Sequence, residues 1–388
     1  MSPFVLLCTA GLCAIFSSTI AKSPVLPLFA SHLGASPAAV GTIAAVSAFT
    51  GVLFSVPVGV LSDRVGRRRM LLFSALVFAT APFLYLFVTK LWQLALVRFY
   101  HGLATAAFVP VAMALVADLF HEERGEKMGW FSTATLVGRF VAPTAGGALM
   151  SLLAASPGFR YKAVYLLCGA AGVLSLVLIV GVGEPEKSAT RHQSWAETFS
   201  GLREILSCGA ILATSATEAG ILFAYGTFET FLPLYALRCG LRPYEIGVCL
   251  SAQVISLALT KPLLGKLSDR HGRPPQIFAG TLLGAASISC FAFFGSFAAF
   301  AVLSVFFGVA MSTLTSATSA YIADLSGKAR GSAMGMLGSI MDTGHTSGPI
   351  VAGVVAGGLG YPFSFLCAAA VLAGFSAVFV ATVFRKGP

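Results

Sequence analysis

Apolar residues follow one another in stretches of about 20 along nearly the whole chain, broken by short polar or glycine- and proline-containing segments. About 20 apolar residues in helix cross the hydrocarbon core of a bilayer. The runs predict twelve such spans, over residues 4–30, 38–61, 70–89, 92–119, 129–152, 163–182, 205–234, 244–267, 275–294, 297–323, 332–357 and 363–384. Only helices and closed barrels satisfy their backbone groups in lipid, and a barrel would show short alternating segments instead of long unbroken runs. The expected fold class is an all-α membrane protein.

Composition agrees with the pattern. Of 388 residues, 57% are apolar and 10% charged, against about 25% charged in soluble domains. The mean hydropathy of +0.87 excludes a water-soluble globule. A net charge of +10 suggests nucleic acid, but the cations are placed by topology and form no single patch. With a cytoplasmic N-terminus, 16 of the 25 Lys and Arg fall in inner loops and the C-terminal tail. Five lie in outer loops (Lys90, Arg160, Lys162, Arg238, Arg242) and four well within spans, Lys266 at the inner end of the eighth span being counted with the inner loops. That asymmetry predicts both termini inside a cell (inner) membrane. The start Phe4-Val5-Leu6-Leu7 has no small-residue cleavage site, so the first helix is expected to be retained. The eight Cys are scattered without a CxxC pair, as lipid-buried packing residues are, and no metal site is expected.

A shift of 206 residues superposes the chain on itself without gaps. Leu26-Pro27-Leu28 falls on Leu232-Pro233-Leu234, and Gly34, Pro37 and Gly41 on Gly240, Pro243 and Gly247. The register persists through Ala117-Asp118-Leu119 on Ala323-Asp324-Leu325 to Gly138, Pro143 and Gly147 on Gly344, Pro349 and Gly353. Six spans return the chain to its starting side, so the copies are parallel repeats about an axis along the bilayer normal. The expected organisation is a six-helix bundle over residues 1–182, a charged cytoplasmic linker over 183–204 with an interfacial helix around Trp195 to Leu202, and a second bundle over 205–388.

Gly59-Val-Leu-Ser-Asp63-Arg64-Val-Gly66-Arg67-Arg68 between spans 2 and 3 resembles the G-x-L-x-D-R-x-G-R-R signature of the major facilitator superfamily. Gly265-Lys-Leu-Ser-Asp269-Arg270-His-Gly272-Arg273 repeats it between spans 8 and 9. Glycines allow a tight turn, the arginines anchor it on the inner face, and an Asp can cap a helix N-terminus. The resemblance implies twelve helices in two pseudo-symmetric six-helix bundles, the major facilitator fold. It also implies that Asp63 meets the start of span 11 near Ser332 and that Arg67 pairs with Asp118, Asp324 being the counterpart in the second half. Arg98-Phe-Tyr-His101-Gly102 is similar to the R-x-x-Q-G signature of proton-linked members, with His101 in the Gln place. Gly138-Arg139-Phe-Val-Ala142-Pro143-Thr-Ala-Gly146-Gly147 is similar to an antiporter signature, departing from it at Ala142. Gly344-His-Thr-Ser-Gly348-Pro349 copies part of it in span 11, which weakens its value as an antiporter label.

Lys22, Arg98, Arg139, Glu218, Glu229, Lys261 and Asp342 fall inside predicted spans. At about 3 kcal/mol each, their insertion costs about 20 kcal/mol in all, so they must be paired or wet. The set predicts a hydrated cavity lined by spans 1, 4, 5, 7, 8 and 11. Lys22 aligns within one position of Glu229, which predicts an outer gate pair or two separate snorkelling residues. Glu218 and Asp342 are the candidate proton carriers, with a structural or substrate-binding role as the alternative. Arg98 is the cation that would modulate a nearby carboxylate. His345, opposite Arg139 in the repeat, is either a pH-responsive element or a hydrogen-bonded interior His. Lys261 sits near the cytoplasmic end of its span and is expected to snorkel. Phe108, Tyr225 and Phe228 are ligand-contact candidates by neighbourhood and core residues by type.

Walker-type G-x-x-x-x-G-K-[ST], HExxH and G-x-S-x-G are all absent, and His121-Glu122-Glu123-Arg124 lacks a second His. The expectation is therefore no enzyme and no cofactor, with an ion gradient as the energy source. The resemblance implies a secondary active transporter working by alternating access, exporting a small organic or amphipathic compound in exchange for protons, as a monomer in the lipid bilayer. Uptake of an organic anion or nutrient, and lipid flipping, are the alternatives.

Overall fold

A computed structural model describes residues 2–120, 122–183, 208–326 and 330–384, excepting the side chains of 56, 60, 63, 330–336 and 384. The linker with its interfacial helix, the Asp63 carboxylate and Ser332 therefore lie outside the described residues. Among those residues the chain is helical throughout: α1 (Pro3–Lys22), α2 (Val25–His32), α3 (Pro37–Val65), α4 (Arg67–Leu84), α5 (Leu91–Leu119), α6 (Arg124–Leu152), α7 (Pro157–Val180), α8 (Gly209–Arg238), α9 (Pro243–His271), α10 (Arg273–Cys290), α11 (Phe297–Leu325), α12 (Arg330–Gly358) and α13 (Tyr361–Phe379). A 3₁₀ turn over Tyr85–Phe87 extends α4.

Local chemistry sets the ends. Ser2 and Ser36 accept from the amides of Val5 and Ala39 at 3.3 Å, each followed by proline at the first helical position. Gln93 Oε1 accepts the amides of Thr89 (2.9 Å) and Lys90 (3.0 Å), tying down the start of α5. The first predicted span, 4–30, is present as one membrane-length segment over Pro3–His32, made of α1 and α2.

The repeat is visible in the backbone. Both ends of α3, α4, α5 and α6 recur 206 residues later as both ends of α9, α10, α11 and α12. Gly66 and Gly272 take φ of +105° and +89° at the matching turns, a region that a side chain rarely enters. Among the described residues, nine spans are long and apolar enough to cross a membrane on their own composition. The segments α6, α10 and α12 are not among them: α6 and α12 are richer in Gly, Ser, Thr and charge, as helices that pack closely on neighbours are, and α10 opens on Arg273-Pro-Pro-Gln276.

The chain forms two compact units: Met1–Thr190 with Gly240–Ser251, and Arg191–Cys239 with Ala252–Pro388. In the first, α1 packs on α6 and α7, and α4 on α5 and α7. Leu71, Phe78, Phe108, Leu115 and Phe131 fill that core. In the second, α8 packs on α12 and α13, and α10 on α11 and α13. There Phe291 is the hub of an aromatic core, with ring centroids 5.4 Å from Phe228 and 5.7 Å from Phe300 and Phe365. Phe108 and Phe228 are fully buried in these cores, where their residue type placed them.

Candidate functional site

Arg98 lies two turns into α5 and is 3% exposed. A Cβ at Gly102 would meet Thr50 Cβ at 2.8 Å and Ser47 Cα at 3.1 Å, so the bare glycine lets α3 close on α5. That approach brings Ser47 Oγ to Arg98 Nη2. Arg98 Nη1 donates to Tyr85 Oη at 3.4 Å, and the same hydroxyl lies 3.4 Å from His101 Nδ1. Tyr85 stacks on Tyr165 with centroids 4.2 Å apart and planes 5° from parallel. Arg98, His101 and Tyr85 thus form one buried polar cluster at the end of the unit where α5 begins.

In the second unit Glu218, 1% exposed in the middle of α8, accepts a hydrogen bond from Thr318 Oγ1 of α11. Lys261 is exposed on α9. Eleven residues further along α8, Glu229 is buried, and its Oε2 lies 3.3 Å from His345 Nε2. His345 in turn stacks on Tyr225, centroids 5.4 Å apart at 24°. Asp342 is half-buried one turn before His345 on α12. Lys22 is half-buried in the last turn of α1, where a cation suits the helix C-terminal carbonyls. Arg139 is exposed on α6.

At the turn that follows α3, Arg67 Nε pairs with Asp118 of α5. Arg68 donates to the carbonyls of Val182 (2.6 Å) and Val180 (3.0 Å), satisfying the C-terminus of α7. At the matching turn Arg273 is shared between Asp269 (2.5 Å) and Asp324 (3.2 Å). Arg64 and Arg270 are exposed, and Gly59 and Gly265 have open space around them. Along α6, Gly138 faces the Leu12 carbonyl, Gly146 faces Ile20 and Gly147 faces Pro243, with Ala142 and Pro143 buried between them.

Sequence reasoning found Arg98, His101, Glu218 and Glu229 but missed Tyr85, Tyr165, Thr318 and Ser47, whose partners come from other helices. For Thr318 a signal existed: its repeat counterpart is Ala112 and that of Glu218 is Leu12, so both polar groups were introduced in one half only.

The profile of the Major Facilitator Superfamily matches residues 7–251 and again residues 239–388. Multidrug resistance protein 2 of Bacillus subtilis is 23% identical over 346 residues, covering 88% of this chain and 86% of that one. Multidrug resistance protein MdtG of Escherichia fergusonii is 27% identical over 366 residues, covering 90% and 86%. A crystal structure of a bacterial homologue of the human lysosomal transporter Spinster, inward-facing and occupied, superposes with a TM-score of 0.84 at 16% identity, covering 99% of this chain and 96% of that one. With its duplicated Gly-Asp-Arg turns and twelve membrane spans, the chain belongs to the major facilitator superfamily, a family of membrane transporters.

Proposed function

We propose that this transporter exports a small organic or amphipathic compound in exchange for protons, by alternating access of the two six-helix bundles divided at residues 182 and 205. The observation that carries the proton coupling is the Glu218 carboxyl, buried in the middle of α8 with a neutral hydroxyl as its hydrogen-bond partner. An ionised carboxylate so deep in a membrane protein is costly, and a proton neutralises it. A site that is loaded from one side and emptied to the other couples a gradient to substrate movement. The efflux direction is supported by relatives that are multidrug resistance proteins. In this reading Asp342 and His345 assist the proton step, Arg139 belongs to the substrate side, and the Arg67–Asp118 and Arg273–Asp324 pairs hold the turns at one stage of the cycle. Lys22 and Glu229 act at the outer gate. The chain is read as a monomer in the inner membrane with both termini cytoplasmic.

The test is consumption of a pH gradient by everted vesicles against a panel of lipophilic cations, tetracycline-like compounds and organic anions. Efflux coupling predicts collapse of the gradient with at least one compound, and none in vesicles carrying Glu218→Gln. Substrate flux without proton movement would overturn the coupling.

A further inference from the structure

A cavity of about 230 Å³ lies in the first unit between the ends of α2 and α4 and the start of α7. Its walls include Phe29, Tyr85, Tyr161 and Tyr165, all buried, and its two basic lining residues, His32 and Lys162, are exposed. The aromatic walls brace one another. Phe29 lies 5.2 Å from Tyr161 and 5.7 Å from Tyr165 between ring centroids, and His32 lies 5.2 Å from Tyr161. The volume falls below the roughly 300–1,000 Å³ of pockets for drug-sized ligands, so the space suits a single substituted ring.

Charge around the cavity has one sign. No carboxylate is found among the residues that line it. Within residues 1–183 the acids are Asp63, Asp118, Glu122, Glu123 and Glu126, and all fall at the opposite end, where α3 and α5 finish and α6 begins. Glu245, at the start of α9, already accepts from the Arg242 amide at 2.6 Å. Arg160 lies 4.8 Å from the centroid of the Tyr161 ring and donates to its hydroxyl at 3.0 Å, and its Nε is buried without a partner among the described residues.

The second repeat closes the matching region. Tyr235, the counterpart of Phe29, packs 5.7 Å from both Phe300 and Phe365. Arg238, the counterpart of His32, lies 4.6 Å from the centroid of Tyr361. The opening beside Phe29 is therefore particular to the first unit.

We propose that this cavity binds a single-ring aromatic carboxylate, with the ring against the Phe29, Tyr161 and Tyr165 walls and the carboxylate at Lys162. Aromatic faces reward a flat ring over a saturated one of the same size. Lys162 and Arg160 favour an anion and repel a cation. The site is built from the first unit alone, whereas Glu218 belongs to the second, so it stands apart from the transport reading.

The test uses the purified full chain in phosphatidylcholine nanodiscs, with the thermal unfolding midpoint read against rising salicylate at neutral pH and constant ionic strength. The midpoint should rise and saturate. Cyclohexanecarboxylate should need about threefold more or beyond, and benzylamine should give no saturable shift. Lys162→Gln should raise the half-saturating salicylate concentration about three- to fivefold. Gly158→Phe adds a ring at an exposed wall position where a Cβ meets open space, and should abolish saturation. An unchanged half-saturating concentration in either variant means that salicylate binds elsewhere, and overturns the proposal. So does a wild-type midpoint indifferent to salicylate, or one that responds equally to benzylamine. A saturable response to added phosphatidylglycerol but none to salicylate assigns the cavity to a lipid headgroup, and overturns it too.

Discussion

Thr318 and Glu218 form a buried hydroxyl–carboxyl pair whose repeat counterparts, Ala112 and Leu12, are both apolar. The pair is thus an addition to a packing scheme that works without it. Glu218→Gln preserves shape and leaves Thr318 an oxygen to donate to, so the protein should fold normally, bind substrate and lose gradient-driven accumulation in proteoliposomes. Thr318→Val strips the carboxyl of its hydroxyl and should lower stability by about 1–3 kcal/mol, read from thermal unfolding in detergent.

Close helix approach makes a second expectation. A Cβ on Gly138 would press on the Leu12 carbonyl of α1, and one on Gly344, its repeat counterpart, on the Ala219 carbonyl of α8. Backbone cannot swing aside as a side chain can, so Gly138→Ala and Gly344→Ala should each cost about 1–3 kcal/mol. Gly51 and Gly129 have nothing within 4 Å of such a carbon. Alanine there should be neutral or stabilising by up to about 1 kcal/mol, because it is the better helix former. Equal losses at all four positions in a thermal-unfolding series would contradict the close-packing account.

The glycine arithmetic was legible before any coordinates because a repeat preserves what the backbone requires. Gly66 and Gly272 recur since both turns need positive φ, and Gly138 and Gly344 recur since both helix pairs need the space. Partners across helices were not legible. Nothing in the sequence around Arg98 indicates that Tyr85, thirteen residues earlier and beyond a loop, reaches it, or that Tyr165 from α7 covers that ring. Where the resemblance implied an Arg67–Asp118 pair, the structure has that contact, whereas the partner implied for Asp63 lies outside the described residues.

The two signature turns should differ in how much their ion pairs hold. Arg67 and Asp118 keep 17% and 18% of their side-chain surface exposed, while Asp324, facing Arg273, keeps 54%. Arg273 also has a second carboxylate in Asp269 at 2.5 Å, so losing Asp324 leaves it paired. A double-mutant cycle on Arg67→Gln and Asp118→Asn should give a coupling of about 1 kcal/mol, and the cycle on Arg273→Gln and Asp324→Asn less than about half of that. The order should persist at high salt, which screens the exposed pair more strongly. Equal couplings would mean that exposure does not set the difference between the turns.

Glu229 and His345 form a contact inside the second unit whose strength a mutant cycle can measure. Their side chains meet at 3.3 Å, both largely out of solvent, with the imidazole held flat against Tyr225. A hydrogen bond to a carboxylate in so poorly screened a place is stronger than at a surface. The coupling energy between His345→Gln and Glu229→Gln, from unfolding of the four proteins in the cycle, should therefore exceed about 1 kcal/mol. Tyr225→Leu removes the stacking face and should reduce the coupling, because the ring then loses the orientation that aims Nε2 at the carboxylate. A coupling near zero would assign the contact to packing alone.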